Sequence, residues 1–287
     1  MITTSARHLL AQRSLGVESS LSQDNERMGE FVRSLARGLS VIESFGDQYA
    51  QLTLSQVAQR TGMARATARR LLMTLSEIGY VGNDGKRYWL MPKVLRLGYA
   101  YIASQSQWLA VRPLLEQLCQ NVGEATSIAV LDEKEIVYVA RAAPPRLLSD
   151  PLFVGARLPA HLTAMGRVLL SDLTDPDLDS VLRVLETVGT GRNSGPNYIL
   201  TRSQKTDIRA KIIAARQEGI ARNDEEVELG LRSIAVPIRD ASGRITAAMN
   251  LSSTAPNQTL REFEDRNIGF LKQTRDLVQN ALQIRAH

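Results

Sequence analysis

TLSQVAQRTGMARATARRLLMTLSEIGYVGNDGKRYWL, Thr53 to Leu90, decides the fold of the N-terminal part of this 287-residue chain. Thr53 and Gln56 form a capping box, because a Thr oxygen accepts from the amide three residues on while the Gln reaches back. Leu54, Val57 and Ala58 make one apolar face of a short helix, and Gly62 supplies a turn. Ala68, Leu71, Leu72, Leu75 and Ile78 then recur at three- and four-residue spacing, the period of a second helix. Gly79 is suited to end it. Two helices joined by a short Gly-containing turn are a helix-turn-helix. Asp84-Gly85 between Tyr80-Val81 and Tyr88-Trp89-Leu90 predicts a hairpin, the wing.

The second helix carries Arg65, Ala66, Thr67, Arg69 and Arg70 away from its apolar stripe. Arginines near the N-terminal end of such a helix can bond guanine in bidentate fashion or pair with phosphate. Lys86 and Arg87 on the hairpin are placed to touch the DNA backbone. The alternative is that these cations only solvate a surface helix. Charge distribution speaks for DNA. Met28 to Ser104 holds ten Lys/Arg against five Asp/Glu, whereas residues 1–27 hold three of each and residues 105–287 twenty-two of each. The whole net charge of +5 therefore belongs to the helix-turn-helix segment.

The length suits two domains. Residues 1–27 are polar and Ser-rich and are expected to form a mobile tail. The winged helix-turn-helix is expected over 28–91, opened by a helix that Ser34 caps and Gly46 ends. A linker helix is expected over 92–106, starting at Pro92, a favoured first-turn residue. The rest, 107–287, is read as an effector-binding and oligomerisation domain of α+β class. It opens with a helix over Trp108 to Gln120. Thr126 to Val130 pairs with Glu135 to Arg141, and Ser233 to Arg239 with Ile245 to Ser252. Helices are expected over His161 to Leu170, Asp177 to Leu185, Gln204 to Glu218 and Thr259 to Ile284, and a Pro-rich connection over Ala143 to Pro151.

One cysteine, Cys119, excludes an internal disulfide framework and suits a cytoplasmic protein. It reads as a small core residue. No apolar run approaches twenty residues, so no helix is expected to span a membrane, and there is no signal-peptide layout. The three histidines, His8, His161 and His287, are far apart in sequence, and no Gly-x-x-x-x-Gly-Lys segment occurs. Asp224-Glu225-Glu226 has no His/Cys cluster to complete a metal site and reads as a loop or strand entry. No catalytic residue, metal or cofactor is therefore expected.

Ser34 to Leu39, Leu158 to Leu170, Asn223 to Glu226 and Gly230 to Ile238 resemble segments of the IclR family of bacterial transcriptional regulators. The resemblance runs from about Phe31 to the C-terminus. Phe31 to Leu39 and Ala164 to Leu170 look closest to the branch that controls protocatechuate and β-ketoadipate catabolism. This resemblance implies a GAF-like C-terminal domain, double-stranded operator DNA as partner, a small organic or aromatic acid as effector, and homodimers or homotetramers on palindromic or repeated sites. From the branch it also implies activation of an aromatic-catabolism operon, and an activator would meet RNA polymerase. The alternatives are a repressor with a non-aromatic effector and a ligand-independent DNA-binding protein. Carried over residue by residue, the effector pocket comprises His161, Thr163, Ala164, Met165, Asn223, Leu231, Ser233, Asn250 and Ser252. Asn250 and Ser252 share one face of their strand. Arg141 and Arg157 could pair with a carboxylate or lie at a surface or interface.

Overall fold

A computed structural model describes residues 31–46, 49–145, 152–187, 201–254 and 258–284. Most of the expected connection from Ala143 to Pro151, and the expected tail, lie outside them. The chain divides into two compact units between Tyr101 and Ile102.

In the N-terminal unit, α1 (Arg33–Glu43) precedes β1 (Leu52–Thr53), α2 (Leu54–Thr61), α3 (Arg65–Glu77), β2 (Val81–Asn83) and β3 (Arg87–Leu90). Two expectations for α1 fail. Its N-cap is Val32, without a side-chain cap, so Ser34 is already helical; and it ends at Ser44, two residues before Gly46. Leu35 and Leu39 are exposed, and Val41 instead enters the core. Around α2 the sequence reading holds. Thr53 accepts from Gln56 N, Gln56 Oε1 accepts from Thr53 N at 2.8 Å, and Gly62 closes the helix at φ 66°. The end of α3 is a Schellman motif: Tyr80 N donates to Leu75 O (2.8 Å) and Gly79 N to Ser76 O (3.0 Å). The wing turns on Asp84, whose carboxylate accepts from Lys86 N and Arg87 N. Its return strand β3 lies between β2 and β1. Val41, Leu52, Val57, Ala68, Leu72 and Val81 are buried together beneath the helices.

From Pro92 the chain is helical, first as a 3-10 turn (Pro92–Val94) and then as α4 (Leu95–Ser104). Lys93 Nζ donates to Ile78 O at 2.7 Å, so the end of α3 and the start of this segment are held together.

The C-terminal unit continues with α5 (Ser106–Val122), β4 (Ala125–Asp132), β5 (Glu135–Ala142), β6 (Arg157–Pro159), a 3-10 turn (Ala160–Leu162), α6 (Ala164–Leu170), α7 (Asp175–Thr187), α8 (Arg202–Glu218), β7 (Ala221–Asp224), β8 (Arg232–Arg239), β9 (Ile245–Ser253) and α9 (Leu260–Ile284). The strands form one antiparallel sheet in the order β6-β5-β4-β9-β8-β7. Alternation sorts its residues onto two covered faces. Ile128, Ile234, Val236, Met249 and Leu251 meet Val111, Leu115 and Leu118 of α5 and Phe263, Leu271 and Val278 of α9. Ala129, Tyr138, Ala235 and Ala248 meet Met165, Val168 and Leu169 of α6, Leu178 of α7 and Ile208 and Ile212 of α8. Cys119 is buried, as expected.

The expected single helix from His161 to Leu170 is two pieces. Thr163 between them is extended (φ −101°, ψ 149°), and its hydroxyl caps α6 by accepting from Gly166 N at 3.0 Å. The break lets the 3-10 turn fold back against α6. A Cβ on Gly166 would come within 2.0 Å of Ala160 O, so only glycine permits this approach.

Candidate functional site

On α3, Arg65, Ala66, Arg69 and Arg70 are exposed and Thr67 is half-buried. Ala68, Leu72 and Leu75 anchor the opposite side. Thr67 and Arg70 also line a groove of about 710 Å³ together with Leu35 and Leu39 of α1. Arg65, Ala66 and Arg69 do not line it. Arg65, Arg69, Arg70 and Lys86 have no ion-pair partner among the described residues, and Arg87 has only a 3.5 Å contact with Gln51 Oε1. Cations along one helix and one hairpin, without acidic partners among the described residues, give this face a positive potential. No side chain caps α3 at Ala64, so its first amides are free to meet a phosphate.

The second site is the α6-facing side of the large sheet. Register places Asn223, Ser233 and Ser252 in one row across β7, β8 and β9. The next row holds Ala235, Asn250, Ser127 and Arg141 across β8, β9, β4 and β5. Side chains opposite one another in such rows share a face, with Cβ atoms about 5 Å apart. Asn223, Ser233, Asn250 and Ser127 are buried, while Ser252 and Arg141 are half-buried. Arg141 Nη1 donates to Ser127 Oγ at 3.3 Å. The patch ends at Asn223, whose Nδ2 donates to Leu162 O. That bond draws the 3-10 turn, and with it His161, Thr163, Ala164 and Met165, to the edge of the patch. Leu231, half-buried, lies just before β8.

Two polar groups here are unsatisfied. His161 is 4% exposed, and neither ring nitrogen has a hydrogen-bond partner; nor does Asn250 Oδ1. A buried polar atom without a partner costs about 1–3 kcal/mol. Burial, with the Arg167 charge adding to it, lowers the His161 pKa to about 4, so the ring is neutral at pH 7.

Sequence reasoning missed Ser127, Arg167 and Glu226. Arg167, on α6, is fully buried. Its guanidinium donates to Glu226 through both Nη1 and Nη2 (2.8 and 2.6 Å), to Arg222 O (2.8 Å) and to His161 O (3.1 Å). Lys211 adds a 3.0 Å contact to Glu226. Burial raises the Glu226 pKa, but Arg167 and Lys211 outweigh it and hold the carboxyl below its usual range. Glu226 N also donates to Asn223 Oδ1 (3.3 Å). The acidic run is thus a strand exit and loop clamped to α6. Arg157 pairs with Asp132 and Glu135 at 2.7 and 2.8 Å. Among the described residues no group of His, Cys, Asp and Glu could hold a metal, and no helix is long and apolar enough to cross a membrane.

Comparison with known proteins settles the lineage. The C-terminal domain of bacterial IclR transcriptional regulators matches residues 100–280, and the IclR helix-turn-helix domain matches residues 34–85. The chain belongs to the IclR family. This IclR-family chain is 41% identical over 248 residues to the Pca regulon regulatory protein of Pseudomonas putida, covering 84% of this chain and 81% of that one. It is 35% identical to the p-hydroxybenzoate hydroxylase transcriptional activator of Acinetobacter baylyi, over 90% of this chain and 95% of that one. A transcriptional regulator from Rhodococcus sp. RHA1 superposes with a TM-score of 0.70 at 41% identity, over 88% of this chain and 98% of that one. The protein is a transcriptional regulator and not an enzyme, with a helix-turn-helix domain for DNA and an IclR-type effector domain.

Proposed function

We propose that this regulator acts in the cytoplasm, binds a small organic or aromatic acid in the α6-facing pocket, and in response activates an operon of aromatic-acid catabolism. The observation that carries the pocket is the polar patch inside an otherwise apolar layer, with His161 and Asn250 lacking partners. Native interiors rarely keep such groups unless something joins them. His161, Thr163, Ala164, Met165, Asn223, Leu231, Ser233, Asn250 and Ser252 form this pocket. Amides of Ala164 and Met165, in the first turn of α6, have no carbonyl four residues back within the helix. The names of the two curated relatives support the aromatic pathway.

Arg65, Ala66, Thr67, Arg69 and Arg70 read the operator, with Lys86 and Arg87 on its backbone. Homodimers or homotetramers bring two such heads to repeated half-sites about one helical turn apart or a multiple of it. The helical segment over residues 92–106 links the reading head to the effector domain. The acid acts by binding one arrangement of these domains better than the other. Activation then proceeds through RNA polymerase.

A thermal-shift titration with protocatechuate, β-ketoadipate and 4-hydroxybenzoate tests the pocket. At about 100 times its dissociation constant the effector adds roughly 2.7 kcal/mol of stability. A saturable shift is expected with one of them; none with any of the three defeats the aromatic-acid reading.

A further inference from the structure

Successive residues of α3 turn by about 100° around its axis, which divides the helix into flanks. Ala68, Leu72 and Leu75 point into the core of the N-terminal unit. Thr67, Leu71, Thr74 and Ile78 follow on one flank and line the groove shared with α1. Ser76 lies on the other flank, where Asn83 Nδ2 of the wing approaches its Oγ at 3.5 Å. The face left between groove and wing, turned away from the core, carries Arg65, Ala66, Arg69 and Met73. None of the four lines the groove. Met73 stands seven residues from Ala66, about 20° away around the axis, and one turn beyond Arg69.

Met73 is the one large apolar side chain of this face. It is 55% exposed, while Leu71, Leu72 and Leu75 of the same helix join the core. A single exposed apolar residue is ordinary on a protein surface. What distinguishes Met73 is its place in the middle of the cationic face, in line with Ala66 and Arg69. The major groove of DNA presents one apolar group to such a face, the C5 methyl of thymine. Methionine is unbranched and polarisable, and so adapts to that contact. Glu77, exposed one turn further on, carries a charge that phosphate repels, and the face suited to DNA ends before it.

We infer that Met73 touches the C5 methyl of an operator thymine and makes the protein prefer thymine at that base pair. The inference rests on the recognition-helix reading given above.

The test is an anisotropy titration on the duplex that the full chain enriches from a randomised pool, and on copies in which each thymine in turn is replaced by deoxyuridine, which lacks only the methyl. Full-length wild type, Met73→Ala, Met73→Leu and Arg69→Ala are compared. At one thymine, deoxyuridine should weaken the wild type about three- to fivefold, the loss of one buried methyl. Met73→Ala should bind the thymine duplex more weakly than the wild type and should no longer distinguish thymine from deoxyuridine there. Met73→Leu should keep the distinction. Both Met73 variants should melt as the wild type does, because the side chain is exposed. A wild type indifferent to deoxyuridine at every position overturns the inference. So does a Met73→Ala variant that loses as much affinity as the wild type at each substitution, since that loss belongs to the DNA alone. Normal binding by Arg69→Ala, or no enriched duplex at all, strikes the recognition-helix reading itself and is distinguishable from either failure.

Discussion

His161 should make this protein measurably less stable at mildly acid pH. Unfolded, the ring takes a proton as pH falls through about 6.5; folded, it resists until about 4, because burial and the Arg167 charge oppose the cation. Across that window the unfolded chain binds more protons, so folding stability falls as pH falls and levels off below about 4. A displacement from 6.5 to about 4 corresponds to roughly 3 kcal/mol in full. Between pH 7 and pH 5 the loss is about 2 kcal/mol. His161→Gln keeps a polar side chain of similar size and removes the titration. Urea unfolding of both proteins at pH 7, 6 and 5, followed by circular dichroism, isolates the effect. Carboxylates contribute equally to the two curves and cancel in their difference. The wild type should lose about 2 kcal/mol more than the variant over this range. Parallel losses would refute the reasoning, since they would mean that His161 takes its proton as readily folded as unfolded.

Replacing Arg65 and Arg69 by Ala should weaken operator binding by roughly 1–3 kcal/mol for each arginine that bonds a base, with effector-induced stabilisation intact. Anisotropy titration and thermal shift check the two halves. Gly166→Ala, whose new Cβ would lie 2.0 Å from Ala160 O, should cost about 3 kcal/mol or more in a melting experiment. Gly98→Ala, with nothing within 4 Å, serves as the control and should cost nothing. Arg167→Met leaves Glu226 with Lys211 alone and takes the donor from the His161 and Arg222 carbonyls, so it should destabilise the protein by about 3 kcal/mol, and adding Glu226→Met should recover only part of the loss in the double variant.

The reading head was legible because its signals are local. Thr53 with Gln56, Gly62, Gly79 and Asp84-Gly85 each act within a few residues, and each does what its residue type suggests. Ser34 misled because a capping residue type does not fix where a helix begins, and here α1 starts two residues earlier than a Ser34 cap implies, without a side-chain cap. Thr163 did carry a cap signal, accepting from the amide three residues on, but the apolar run on both sides hid it inside one long helix. Strands β1, β6 and β7 have two to four residues each, too few for a period to show. In the candidate pocket, Asn223, Asn250 and Ser252 came from resemblance, and alternation added only that Asn250 and Ser252 share a face. Ser127 did not, because only the pairing of β4 with β9, more than a hundred residues apart, places it beside Asn250. The partnership of Arg167 with Glu226 is hidden for the same reason: an arginine inside an apolar helix and an acid in a charged loop meet only in the folded chain.

The central claim is that an acid bound in the C-terminal unit alters how the N-terminal unit engages DNA. The most direct test is an operator titration of the full chain, by anisotropy and footprinting at fixed salt, with and without the acid that gives a saturable thermal shift. Operator affinity or the extent of the footprint should change with the acid, and the change should be absent when Asn250 is replaced by Ala. Identical affinity and footprint at saturating acid, with transcription from the operator also unchanged, would contradict it.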